Sequence, residues 1–382
     1  MLKKIILILS LTFFAYAADT NPPAKKLKFF NLDLHISVIA DLKDLFETFG
    51  HQVESWSISE HTWVFKNERA KVDVVNENTW RNLDKEMCDR FYEHYKDYLS
   101  QFDGFIVTNN ASFALLYEKF HKPIIIVNST RYESPFTNKP EKWAWLDDFL
   151  KKGVQNNQIF IVSNNKGDRD YLKHFTGIDS EVIPSLCLYT KSHYTGKKKG
   201  FIWKFPGQDF KSFSKKQMGA QKKLIQNNHL SHRHSWQELY SYQGIVHFPY
   251  QISTMSIFEQ YSANIPLFFP SKTFLLSLHA AHPQILSQLS FFSPEKAPTE
   301  PGNPNNINNT AVLKNWIDAA DFYDPENMPY IQYFDSFEHL KKLLTTVDCK
   351  KISNQMQIHN EKRKQIALKK WGNILERLQA VK

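Results

Sequence analysis

The sequence predicts an α/β protein built as two Rossmann-like domains that face each other across a cleft. Three observations carry that expectation. Short apolar runs alternate with amphipathic segments of helical period along most of the chain, the pattern of parallel strands joined by covering helices. The alternation breaks once, at "SEVIPSLCLYTKSHYTGKKKG", into a Ser, Thr, Tyr, Gly and Lys composition suited to a crossing between domains. The length, 382 residues, is enough for two domains with a core each.

The chain opens with "MLKKIILILSLTFFAYAAD". Lys3 and Lys4, an apolar run from Ile5 to Ala15, and small residues at Ala15 and Ala17 read as a signal peptide over residues 1–17, with an uncleaved anchor as the alternative. That run is short for a bilayer span of ~20 residues, and no later stretch approaches such a length. The expected mature chain therefore has no membrane span and belongs to the secretory pathway or a periplasm.

Residues 25–185 form the first expected domain. "KLKFFNLDLH" reads as a strand with its exit loop. Ile36, Ile39, Ala40, Leu42, Leu45, Phe46 and Phe49 then line one helical face, closed by Gly50. "QVESWSI" is the second strand, followed by a helix over Trp80–Leu99, strand "FDGFIVTN", a helix over Ser112–Phe120, strand "PIIIVNS", a helix over Lys142–Lys152, strand "QIFIVSN" and a helix over Gly167–Phe175. Residues 186–199 are the linker.

The second domain is expected over 200–352. Its series is strand "GFIWKF", helices at Lys215–Gln226 and Trp236–Tyr242, strand "GIVHFP", a helix over Thr254–Ala263, strand "IPLFF" and a helix from Lys272. "SPEKAPTEPGNPNNINNT", rich in Pro and Asn, reads as an insertion. "PYIQYFDSFEHLKKLL" supplies a last strand and capped helix, and a basic helix fills 353–382.

Composition narrows the function. Hydrophobic residues at 42% and charged residues at 23% exclude global disorder. A net charge of +9 suits an anionic partner, yet the lysines are scattered and no groove-reading motif accompanies them, so nucleic acid is not the expected partner. Cys88, Cys187 and Cys349 are far apart and odd in number, which points to core thiols.

Ligands of parallel α/β domains bind at the carboxyl ends of strands and at helix N-termini. Glu259 stands early in the helix after "GIVHFP". Its carboxylate suits a ribose diol, while Ser253, Thr254 and Ser256 with their backbone N–H groups suit a phosphate; an acid there also offsets the helix macrodipole. "FEQYSANIPLFFPS" resembles the donor-binding segment of GT-B glycosyltransferases, through Glu259, Ala263, Asn264 and Pro266. Many of those enzymes carry an earlier acid where this chain has Gln251. "IVSNNKGDRDYLKHFTGIDSEVIPS" resembles the end of a GT-B first domain, and "YFDSFEHLKKLLTTV" with "HNEKRKQIALKKWGNILERL" resembles the closing helices, the last of which crosses back to that domain.

The resemblance implies a nucleotide-sugar donor held by the second domain and a hydroxyl acceptor, on a glycan, lipid or protein, held by the first. It implies neither metal nor cofactor, so basic side chains must offset the leaving diphosphate, with Lys204 and Arg233 as candidates. His232 and His234 flank Arg233 but lack a third and fourth ligand. Asp168 to Asp170, "DRD", read as helix capping. The family places a base after the first strand, where Asp33 and His35 stand; His61, beside Glu60, is a further candidate, and histidine accepts a proton near neutral pH. Trp56, Trp63 and Trp80 offer either stacking faces or core. The sequons at Asn110 and Asn128 fall at strand ends, poor places for a glycan. Two rivals remain: a secreted two-lobe solute-binding protein, which would have two or three hinge crossings, and a non-catalytic relative, to which Gln251 points.

Overall fold

The computed structural model describes residues 25–59, 72–204, 208–219, 224–226, 230, 235–283, 285–286, 303–304, 306 and 309–380. The first domain contains β1 (Lys28–Asp33), α1 (Ile36–Thr48), β2 (Gln52–Ser57), α2 (Lys85–Leu99), β3 (Gly104–Val107), β4 (Ile124–Asn128), α3 (Pro140–Gln155), β5 (Ile159–Ser163), α4 (Lys166–Thr176) and β6 (Glu181–Val182). Its six strands are parallel in the order β2-β1-β3-β4-β5-β6. β3 and β4 are buried along their whole length, which is why they read as unbroken apolar runs rather than alternating ones.

The second domain contains β7 (Phe201–Lys204), α5 (Gln208–Met218), β8 (Leu224–Gln226), α6 (Trp236–Leu239), β9 (Gly244–His247), α7 (Met255–Ser262), β10 (Leu267–Pro270), α8 (Lys272–Ala281), α9 (Thr310–Asp318), β11 (Gln332–Phe334) and α10 (Phe337–Thr346). Its five parallel strands run β11-β10-β9-β7-β8. Helix α11 (Cys349–Ala380) closes the chain. Strand order reverses between β1 and β3 in one sheet and between β7 and β9 in the other. Those two switch points are where such sheets open a crevice for ligands.

Several elements depart from expectation. The helix expected from Trp80 starts at Lys85 instead, because the Asp84 carboxylate accepts the Met87 N–H at 2.9 Å and begins it afresh. Ala111–Phe120 is wound in 3₁₀ turns. The helix expected at Lys215–Gln226 lies over Gln208–Met218: Gly219, at φ +63°, ends it, and Leu224–Gln226 pairs with β7 as an edge strand. Helix α9 was not anticipated; Asn309 caps it, and Val312, Leu313, Trp316 and Ile317 form its buried face. Helix α11 starts before residue 353, where Asp348 accepts the Lys351 N–H at 3.0 Å. The three cysteines are buried and free. Residues 1–17 and most of the Pro- and Asn-rich insertion lie outside the described residues. No described helix is long and apolar enough to cross a membrane.

The domains are joined by the linker and by α11. Trp371 packs edge-on against Phe46 of α1 at 5.4 Å, and Lys370 donates to the Val182 carbonyl at 2.9 Å, so the last helix returns to the first domain. Arg363, only 7% exposed, fixes the crossing. Its guanidinium donates to Asn327 Oδ1 at 2.9 Å, to Ser262 Oγ at 3.2 Å, and to the carbonyl of Ser185 where the linker begins. On the other side of the linker, Asp41 of α1 accepts the Cys187 N–H at 2.6 Å. The chain thus crosses between the domains twice, once by the linker and once by the returning helix.

Arg363→Ala strips three acceptors of their donor inside the junction. Urea unfolding should show a loss of roughly 3 kcal/mol, against less than ~0.5 kcal/mol for the exposed Lys351→Ala control; equal effects would mean that the guanidinium does not hold the domains.

Candidate functional site

Lys204 ends β7 beside His247 of β9, at the second sheet's switch point. Helix α7 begins after the next loop, and the segment is apolar enough that Met255, Ile257, Phe258 and Tyr261 all bury. Glu259 is carried inward with them, to 8% exposure. A carboxylate so placed must find donors. It accepts from the Tyr189 hydroxyl in the linker, from Trp236 Nε1 of α6 at 3.3 Å, and from the Ser37 hydroxyl in the first turn of α1. Burial raises its pKa, while the three donors and the charge of Lys204 act in the opposite sense. Burial pushes Lys204 down to about 8, with Glu259 opposing.

The carboxylate expected to receive a ribose diol is already bonded within the protein. Glu259 bridges the first domain, the linker and the second domain, and two hydroxyls already occupy it. Thr254 caps α7 through its backbone: its carbonyl accepts from the N–H groups of Ile257 at 3.0 Å and Phe258 at 3.4 Å. Its hydroxyl lies 3.3 Å from that of Ser256. Ser253 bonds to Asp321, and Gln251 folds back to accept the Ile252 N–H at 2.9 Å. Arg233, with His232 and His234, lies outside the described residues.

On the first domain's side, Asp33 is fully buried at the end of β1. Its carboxylate accepts N–H groups from Leu34 at 2.6 Å, Thr108 at 3.0 Å and Asn109 at 2.9 Å, stitching β1 to β3 across the switch point. Burial outweighs these bonds and raises its pKa to about 6. A carboxylate so engaged is a tether for the loop rather than an open receiver of a substrate proton. His35 is different. It is exposed and caps α1 by its backbone carbonyl alone, leaving the ring uncommitted to the cap. Although the residue keeps an exposed face, the protein packed around the ring disfavours its charged form and lowers its pKa. His61, Glu60 and Trp63 lie outside the described residues. Trp56, stacked on Tyr98 at 5.5 Å and edge-on to Phe30, belongs to the packing, as does the buried Trp80.

The sequence reading missed a polar layer behind these residues. The loops after β3, β4 and β5 are laced together: Ser129 Oγ donates to the Thr108 carbonyl at 3.0 Å, and Asn128 Nδ2 to the Asp168 carbonyl at 3.0 Å. Buried Arg131 donates to Asp168 Oδ1 at 3.0 Å, and Asn165 donates to the second oxygen at 2.7 Å. Asn165, not Asp168, supplies the side-chain cap of α4, by accepting the Asp168 N–H at 2.8 Å. Asp168 sits in the first turn but does not cap it, contrary to the expectation for "DRD"; its carboxylate anchors Arg131 instead. The layer continues into the second domain, where the Arg131 guanidinium lies 4.6 Å from the Trp316 ring centre and Lys166 pairs with Asp324 at 2.9 Å. Both sequon residues, Asn110 and Asn128, are buried within it.

Burial disfavours the charged form of two carboxyls in this layer. Burial raises Glu133 to about 7, although Tyr171 donates to it at 3.0 Å and Arg131 attracts it, and raises Asp321 to about 8. A buried polar layer at the carboxyl ends of parallel strands marks a functional site more readily than a packing need. The sequence signal was available: "TNNAS", "NSTRYES" and "SNNKGD" each directly follow an apolar strand. Among the described residues, no three His, Cys, Asp or Glu side chains are grouped to hold a metal ion.

No protein-family model and no curated protein matches the sequence. Similar solved structures include the glycotransferase of kitacinnamycin, at 9% identity and a TM-score of 0.46 over 93% of this chain and 100% of that one. The glycosyltransferase SnogD from Streptomyces nogalater is 8% identical with a TM-score of 0.42, covering 92% and 100%. Spinosyn rhamnosyltransferase SpnG, complexed with thymidine diphosphate, is 8% identical with a TM-score of 0.39, covering 88% and 96%.

Glu133 stays protonated in the fold to about pH 7 but ionises near 4.5 when unfolded, so its contribution to stability is full at low pH and is lost as pH rises between those values. Glu133→Gln should flatten that decline in urea unfolding midpoints taken across the same window. An unchanged slope would mean that Glu133 is ionised in the native protein.

Proposed function

We propose that the protein is a glycosyltransferase that moves a sugar from a nucleotide-sugar donor to a hydroxyl acceptor on a glycan, lipid or protein, without a metal. One observation carries the reading: the switch points of two parallel sheets meet at Glu259, with Lys204 on one side and Ser37 on the other. The hydroxyls of Tyr189 and Ser37 offer Glu259 the same donors as a vicinal diol, so a ribose can take their places by exchange, at little electrostatic cost to the carboxylate. The N–H groups of Met255 and Ser256, with the hydroxyls of Thr254 and Ser256, would then face the diphosphate.

Lys204, and Arg233 if its loop reaches the site, would offset the charge that develops as the bond between the sugar and the diphosphate breaks. With a pKa of about 8, Lys204 is mostly charged at neutral pH. The acceptor would lie over the polar layer of the first domain, and His35 would take its proton as the new glycosidic bond forms. Read as a signal peptide, the N-terminal segment would direct this activity to the secretory pathway or a periplasm. Gln251, whose side chain accepts the Ile252 N–H where many GT-B enzymes carry an acid, supports the second reading of a chain that binds the donor without turnover.

Calorimetry with uridine, guanosine and thymidine diphosphates should find one that binds, and Glu259→Gln should weaken it at least tenfold. His35→Gln should leave that affinity unchanged while lowering kcat by about 10²–10⁴-fold. Binding of none of the three to folded protein would reject the assignment.

A further inference from the structure

A second cavity lies away from this site, where the linker passes over α11. Its volume is about 650 Å³, the size of a small-ligand pocket. It opens at the far end of α7, bordered by Ser262 and Asn264 rather than by Thr254 and Ser256. Eight helical residues, about 12 Å of rise, separate the two ends. Its walls come from three parts of the chain that Arg363 holds together, so its shape is fixed by the domain junction.

The lining is hydrophilic and cationic. Lys350, Arg363 and Lys364 face one acid, Glu361. The Arg363 guanidinium is committed to its three acceptors, which leaves the ammonium groups of Lys350 and of Lys364, the latter also attracted by Asp44 of α1, to meet a ligand. Asn354, Gln357 and Asn360 add amides that both donate and accept. Asn360 is half-satisfied: its Nδ2 donates to the Tyr261 carbonyl at 2.8 Å and to Asn264 Oδ1 at 2.7 Å, while its enclosed Oδ1 accepts no bond.

We propose that this cavity is a binding site for a small anionic sugar, a phosphorylated or carboxylated monosaccharide, independent of the site at Glu259. The lysines take the anionic group, and the amides take the hydroxyls.

The test is calorimetry of the full chain with glucose 6-phosphate, glucuronate, glucose and inorganic phosphate. At least one anionic sugar should bind with a Kd below about 1 mM, and glucose and phosphate at least tenfold more weakly. Lys350→Ala with Lys364→Ala should weaken that binding at least tenfold; the exposed Gln357→Ala, which disturbs no packing, should weaken it severalfold. Neither change should alter nucleoside diphosphate affinity. The proposal fails if neither anionic sugar binds folded protein, if both variants bind as the parent does, or if a nucleoside diphosphate displaces the sugar. The last outcome would place the sugar in the Glu259 site, whereas loss of nucleotide binding alone would touch only the transferase reading.

Discussion

Arg363 is the constraint on which the arrangement rests. Its charge is buried where α11, the start of the linker, the end of α7 and the loop at Asn327 converge, and it is satisfied only when all four are in place. Asp41 grips the same length of linker from the first domain. The linker is therefore clamped between an acid of one domain and a guanidinium that reaches into the other. Because the clamp holds residues 185–187, it also sets where Leu188 and Tyr189 go, and so what the hydroxyl of Tyr189 meets.

What it meets is Glu259. A carboxylate inside an apolar helix is costly unless donors surround it, and here they come from both domains and the linker. The junction is thus polar at its centre and apolar around it. That construction suits a site whose protein donors are exchanged for those of a ligand, because hydroxyl-to-carboxylate bonds are replaced in kind. The polar layer at the carboxyl ends of the first sheet follows the same logic, with Arg131 reaching past its own domain to lie on Trp316.

Much of this was legible in the sequence. Strands β1, β3, β4, β5, β9 and β10 are apolar runs bounded by turns, and the sequence marks each of them. Helix α5 and strand β8 were displaced in the reading because a lysine-rich stretch carries little periodic signal, and Gly219 was not recognised as its stop. Helix α9 was overlooked because a Pro- and Asn-rich stretch hides its cap. At the site, Glu259 was found through its place after a strand, but its burial was not, since the donors Ser37, Tyr189 and Trp236 lie far away in sequence. Arg131 and Glu133 were missed for a related reason: alone in a loop they look like solvated charges, and only the laced loops bury them.

The central claim is that one ligand touches both sheets at their switch points. Hydrogen–deuterium exchange on the full chain, with and without a binding nucleoside diphosphate, addresses it directly. The account predicts added protection at residues 253–259 of the second domain together with residues 34–38 of the first. Protection confined to one domain, or its absence at both segments despite measured binding, would contradict it.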